Sequence, residues 1–194
     1  MAAANPMLLP QPRALRFLGG AARLKPDGLI ALDTSQPQLL RVAGAWVRDA
    51  VQRVSGVRPE IVAGASLPAE SISVELSVVA DAAPHAQGYE LLVDEKQIHV
   101  VASDAAGAFY GATTVCQLLH AYGTELPRLN ISDWPNLPRR GVLLDVSRDR
   151  VPTMETLFRL VDRLASWKVN QIQLYTEHTF ATADIPRCGP TPRR

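Results

Sequence analysis

Few residues of this chain combine a reactive type with a spacing that chemistry could use. The four histidines, His85, His99, His120 and His178, lie apart without ligand spacing, so no metal site is expected, and nothing points to a cofactor. Cys116 shares a helix face with Phe109 and Leu119 and reads as core rather than as a nucleophile. The one pair of adjacent acids, Asp94 and Glu95, sits in the polar run Asp94-Glu95-Lys96-Gln97 and reads as a solvated turn. What remains is a polar set around two short apolar runs. Arg140 precedes Val142-Leu143-Leu144, Asp145 and Arg148 follow it, and Glu177 and His178 follow Ile172–Leu174. Asp145 and Arg148 are near enough in sequence for a short-range ion pair that shapes a loop.

The elements that position this set differ along the chain. Pro6, Pro10 and Pro12 block helix in an irregular lead-in. Leu39, Ala43, Trp46, Val47, Ala50, Val51 and Val54 recur at helical spacing, and Ser55-Gly56 supplies a stop. Ile72, Val74, Leu76 and Val78 alternate as in a half-buried strand. Tyr89, Leu91 and Val93, then Ile98, Val100 and Ala102, alternate likewise on either side of the polar turn, which predicts a hairpin. Ser103-Asp104 offers cap oxygens to a helix in which Gly107 and Gly111 imply close approach to the sheet. An α+β layer follows, an antiparallel sheet with helices on one face. Leu126 to Pro138, with Pro127, Pro135 and Pro138, reads as a linker. Beyond it, Val142-Leu143-Leu144 suits a parallel strand, Pro152-Thr153 opens a helix with Leu157, Leu160, Val161 and Leu164 as its buried stripe, and Ile172–Leu174 restores a strand. Residues 141–175 are one βαβ unit.

Composition narrows the classes. With 47% apolar residues and a net charge of +1, the chain is globular and carries no bulk-charge footprint for nucleic acid. Cys116 and Cys188 cannot build a disulfide framework, no apolar run is long enough to span a membrane, and the start lacks a secretory signal. A soluble, cytoplasmic protein is expected.

The stretch Arg139-Arg140-Gly141-Val142-Leu143-Leu144-Asp145-Val146-Ser147-Arg148, followed by Val151-Pro152, Leu157, Lys168-Val169-Asn170 and Leu174, resembles the start of the catalytic barrel in family 20 glycoside hydrolases, the β-N-acetylhexosaminidases. The run from Gly88 through Gly111 to Gln117-Leu118-Leu119, with Ile131-Ser132-Asp133-Trp134-Pro135, resembles the small domain before that barrel. The resemblance implies residues 8–133 as an α+β domain of hexosaminidase type and 139–180 as an incomplete (β/α)8 barrel start. It implies action on terminal N-acetylhexosamine of glycans. In that chemistry the substrate's acetamido oxygen attacks the anomeric carbon, while an adjacent Asp-Glu pair orients it and protonates the leaving oxygen.

That pair belongs later in the barrel, which takes about 250 residues when complete, so the expectation is a truncated chain without catalytic residues and without turnover. Arg140 is the position to which the resemblance assigns grip on the sugar's outer hydroxyls, with pairing to a nearby carboxylate at the strand entrance as the alternative. Glu177 and His178 are expected at the lip of the sugar pocket or simply in its loop, with Asp145 and Arg148 structural beside them. Residues 181–194 have no apolar periodicity and are rich in Arg and Pro. They read as an out-of-frame or unrelated tail, or as a natural Pro-rich one. The rival reading is a non-catalytic α+β module that binds protein or carbohydrate, with association through the exposed barrel stub.

Overall fold

The computed structural model describes residues 6–32, 37–63, 68–83, 85–148 and 151–177. The chain divides into two compact units, residues 1–138 and 139–194. The first unit contains β1 (Ala14–Arg23), β2 (Leu29–Leu32), α1 (Pro37–Ser55), β3 (Ile61–Ala63), β4 (Ile72–Val78), β5 (Tyr89–Val93), β6 (Ile98–Ala102), α2 (Ala105–Tyr122) and β7 (Glu125–Asp133). The second contains β8 (Gly141–Asp145), α3 (Met154–Ser166) and β9 (Gln171–Tyr175).

The seven strands of the first unit form one sheet in the order β1-β7-β5-β6-β4-β2-β3. The expected antiparallel sheet is instead mixed. β1, β7, β5 and β6 are antiparallel neighbours, whereas β6/β4, β4/β2 and β2/β3 are parallel. For β2 and β3 the crossover is α1, which lies between them in sequence and returns the chain to the same end of the sheet. β4 and β6, by contrast, are parallel because β5, between them in sequence, pairs on the other side of β6. Residues 126–133 are also no linker. They belong to β7, an interior strand between β1 and β5. Pro127, which has no N–H to give a ladder, sits opposite Ala21 beside an irregularity in β1 and outside the stretch of β7 that pairs with β5.

Both helices pack on one face of the sheet. Ile30, Leu40, Val47, Leu76, Leu91, Ile98, Leu118, Leu119, Leu126, Leu129 and Ile131 are fully buried between the layers. The cap and hairpin expectations hold. Asp104 Oδ1 accepts the Gly107 N–H at 2.7 Å and opens α2, while the Gly56 N–H closes α1 on the Gln52 carbonyl at 2.9 Å. Asp94 Oδ1 accepts the N–H groups of both Lys96 and Gln97 at 2.8 Å, which folds the turn between β5 and β6. A Cβ at Gly107 would overlap the Gly88 carbonyl, and one at Gly111 would overlap the Val100 side chain. The close approach implied by those glycines is therefore real.

In the second unit β8 and β9 are parallel, joined by α3, whose N-terminus is capped by Thr153 accepting the Thr156 N–H at 3.2 Å. The buried stripe expected on α3 is only partly formed: Leu164 is buried, Leu157 and Leu160 are half-buried, and Val161 is exposed. Two strands and one helix offer too little surface to cover it. Leu143 and Phe158 are 60% and 62% exposed. Among the described residues, no helix is long and apolar enough to cross a membrane.

Candidate functional site

The polar set divides between the two ends of the β8/β9 pair. Arg140 stands at the N-terminal end, immediately before β8. Its N–H donates to Asn170 Oδ1 at 2.8 Å and its Nε to the Lys168 carbonyl at 2.9 Å, while its own carbonyl accepts from the N–H groups of Asn170 and Gln171 at 2.9 and 3.1 Å. The Arg140-Gly141 and Lys168-Val169-Asn170 segments thus lock the two strand entrances together. Gly141 serves the same lock, because a Cβ there would press on the Gln171 side chain at 3.1 Å.

Asp145, Arg148 and Glu177 lie at the other end, about 16 Å from Arg140 at ~3.3 Å per strand residue. The parallel register puts Asp145 beside Tyr175, so the loops that follow the two strands emerge together. Arg148 Nη2 donates to Glu177 Oε1 at 2.9 Å, and the Tyr175 hydroxyl donates to the same oxygen at 2.9 Å. The Arg148 guanidinium pairs with Glu177 rather than with Asp145. Asp145 Oδ1 accepts the Ser147 N–H and Oγ–H at 2.8 and 2.6 Å, closing a turn that presents Arg148 to Glu177. These Ser147 bonds hold the Asp145 carboxyl below its usual range, and bonding to Glu177 raises the ionisation of both Arg148 and Tyr175 above theirs. The result is a carboxylate acceptor fixed between a guanidinium and a phenol, groups suited to holding hydroxyls of a neutral, oxygen-rich ligand. His178 lies outside the described residues, as do residues 181–194 and the close of the 139–180 segment.

Two other groups behave as their surroundings dictate. Burial pushes the Cys116 thiol up to about 12, away from a thiolate, and its side chain is partly buried against the core. His99 stands between two carboxylates, with Nδ1 3.0 Å from Glu75 Oε2 and Nε2 3.3 Å from Asp94 Oδ2. That cluster was not visible in the sequence, because the contact depends on the β4/β6 register placing Glu75 beside His99. Among the described residues, no group of three His, Cys, Asp or Glu side chains could hold a metal ion.

A mixed-sheet α+β domain leads here into a parallel βαβ unit whose polar groups gather beyond the C-terminal strand ends, the side on which enzymes with parallel α/β barrels carry their sites. Residues 5–134 match the model of glycosyl hydrolase family 20, domain 2, and the chain belongs to that family. It is 32% identical over 104 residues to a beta-hexosaminidase of Vibrio vulnificus, a match covering 54% of this chain and 12% of that protein. It is 38% identical over 87 residues to the beta-hexosaminidase subunit beta of Rattus norvegicus, covering 43% and 16%. The solved structure of the Streptomyces plicatus N-acetyl-beta-hexosaminidase in complex with Thio-NAglucal shares the fold, with a TM-score of 0.74 at 23% identity, covering 89% of this chain and 35% of that one. The chain therefore spans a minor part of the length of the relatives it matches.

Proposed function

We propose that this chain forms the N-terminal part of a β-N-acetylhexosaminidase that acts on terminal N-acetylhexosamine of glycans by substrate-assisted, retaining hydrolysis. In this reading residues 139–177 are the first strand, helix and second strand of a (β/α)8 barrel. The observation that carries it is the Arg148–Glu177 pair, supported by Tyr175, beyond the C-terminal ends of parallel strands in a chain of this family.

The roles proposed for the side chains differ. Arg148 and Glu177 take the sugar's hydroxyls, the guanidinium donating to two neighbouring oxygens and the carboxylate accepting from one. His178 lies outside the described residues, and the lip or loop role proposed for it rests on the family resemblance alone. Asp145 shapes the turn that aims Arg148. Arg140, at the opposite end, is engaged with the Lys168 carbonyl and the Asn170 amide oxygen rather than with a carboxylate, and serves as a strand-entrance lock. The chemistry itself needs an adjacent Asp-Glu pair, and the one adjacent acid pair in this sequence, Asp94-Glu95, turns the β5/β6 hairpin. The chain alone is therefore proposed to bind sugar and not to turn it over.

Incubation with a chromogenic N-acetylglucosaminide, paired with NMR titration by N-acetylglucosamine, tests both halves. No turnover is expected, together with weak binding that Arg148→Ala abolishes; turnover, or binding indifferent to Arg148→Ala, defeats the proposal. A second reading, a non-catalytic module that associates through the second unit, draws on the exposure of Leu143 and Phe158. Size-exclusion chromatography at rising concentration favours it if the chain self-associates and Phe158→Ser reverses that.

A further inference from the structure

Three arginines of the first unit surround a cavity that the hexosaminidase reading does not use. The open cavity of about 690 Å³ lies between α1 and the edge strand β3, and Arg41, Ala45, Arg48, Arg58, Pro59, Glu60 and Ile61 line it. Arg41, Ala45 and Arg48 follow one another at four- and three-residue steps and so share one face of α1. Arg58 reaches the cavity from the turn between α1 and β3. Residues 41–60 hold four arginines against Asp49 and Glu60, a local charge of +2 in a chain whose total is +1.

The guanidiniums are not equally committed. Arg58 Nη1 is held by Gln52 Oε1 at 2.7 Å and stands 3.6 Å from Asp49 Oδ1, and Arg48 Nε stands 3.3 Å from that same carboxylate oxygen. One carboxylate thus positions two arginines. Arg41 has no hydrogen bond or ion pair among the described residues. With Asp49 and Glu60 set against the three, one positive charge is left facing the cavity. Ala45, the buried Pro59 and Ile61 supply an apolar floor, and a low-dielectric wall strengthens the pull of such a rim on an anion. The volume falls within the ~300–1,000 Å³ of small-molecule sites.

We propose that this cavity binds a sugar-sized ligand carrying a phosphate or sulfate ester. The guanidinium forks take the ester's oxyanion, and the body of the ligand lies on Pro59 and Ile61. Arg58, pre-set by Gln52 and Asp49, and Arg41, free of a carboxylate, are the two principal donors. Glu60 on the same rim opposes the anion and sets a modest affinity. This site lies wholly within the first unit and stands or falls independently of the catalytic reading.

The test is an NMR titration of the full chain at low ionic strength with inorganic phosphate, inorganic sulfate, glucose 6-phosphate, glucosamine 6-sulfate and glucose. Saturable shifts confined to amides of residues 41–61 are expected with the anions and not with glucose, tightest with one of the two sugar esters, which identifies the source. Arg41→Gln and Arg58→Gln are each expected to weaken binding at least fivefold, Glu60→Gln to tighten it severalfold, and 0.3 M NaCl, by screening over ~6 Å, to weaken it strongly. These positions are exposed, and an unchanged spectrum outside 41–61 verifies that each variant is folded. Absence of saturable shifts, indifference to the arginine variants, or sugar esters binding no tighter than the inorganic ions overturns the proposal.

Discussion

The Tyr89 hydroxyl, fully buried between sheet and helices, donates to Asp133 Oδ2 at 3.0 Å and lies 2.7 Å from Thr114 Oγ1. One phenol thereby ties β5 to α2 and to the last residue of β7, and Asp133 Oδ1 accepts the Arg13 N–H at 3.2 Å to include the segment before β1. Burial, then the Asp133 charge, pushes the Tyr89 phenol well above its ordinary range, so it is neutral and donating at any working pH. Tyr89→Phe keeps the ring and strips a partner from two buried groups. The expected cost is about 1–3 kcal/mol, seen as a lower urea midpoint at unchanged slope. An unaltered midpoint refutes the network.

Gly111 faces Tyr89 and Val100 with no room for a methyl group: the Tyr89 Cδ2 atom would lie 3.1 Å from an added Cβ, and the Val100 Cγ1 atom nearer still. Alanine in a helix gains about 1 kcal/mol over glycine, but overpacking a core costs about 1–3 kcal/mol. Gly111→Ala is therefore expected to lower stability on balance. Thermal unfolding checks the sign, and a rise in the midpoint would show that α2 does not press on β6.

The parts of this fold that are legible in sequence are those specified locally. The spacing from Leu39 to Val54, the Asp104 cap and the Asp94–Gln97 turn each state their structure within one or two turns of chain, and each forms as read. β1 shows no strand period because Gly19 and Gly20, both at positive φ, interrupt its alternation, and β7 reads as a linker because Pro127 lies within it and Pro135 and Pro138 follow. β2 and β3 have four and three residues, too few for a period to show. The site is legible by residue type only. That Arg148 meets Glu177, while Arg140 faces away toward the strand entrance, follows from the parallel register of two strands some thirty residues apart, which no local pattern encodes.

The β5/β6 turn carries an acid-sensitive contribution. Partial burial pushes the Asp94 carboxyl up, but the N–H groups of Lys96 and Gln97, with His99 beside it, outweigh that and hold it below its ordinary value. A depressed folded pKa stabilises above the unfolded value near ~3.9 and is lost as pH falls through the folded value. Asp94→Asn preserves the turn-forming oxygen and removes the titration. Stability measured by urea unfolding from about pH 5 to pH 2 is expected to fall less steeply in the variant, by a small amount because the carboxylate is substantially exposed. Parallel curves for both proteins would sink this assignment.

Tyr175 offers the most direct reading of the candidate site. Its hydroxyl bond to Glu177, then the charge of that carboxylate, favours the neutral phenol and raises its ionisation. A raised folded value means that this contact stabilises the fold below the ordinary tyrosine range near ~10 and is lost as pH rises through the folded value. Alkaline titration of ring-labelled tyrosine, assigned by the resonance that Tyr175→Phe removes, is expected to place Tyr175 above an exposed tyrosine. Glu177→Gln should bring it down toward the ordinary value, and Asp145→Asn should lower it by less, since Asp145 acts only through its charge at a distance. The proposed sugar binding adds a further readout: an N-acetylglucosamine hydroxyl that takes the Glu177 oxygen is expected to compete with the phenol and lower the Tyr175 ionisation. A titration unmoved by Glu177→Gln would break the Tyr175–Glu177–Arg148 arrangement, and with it the role proposed for Glu177 toward a sugar hydroxyl.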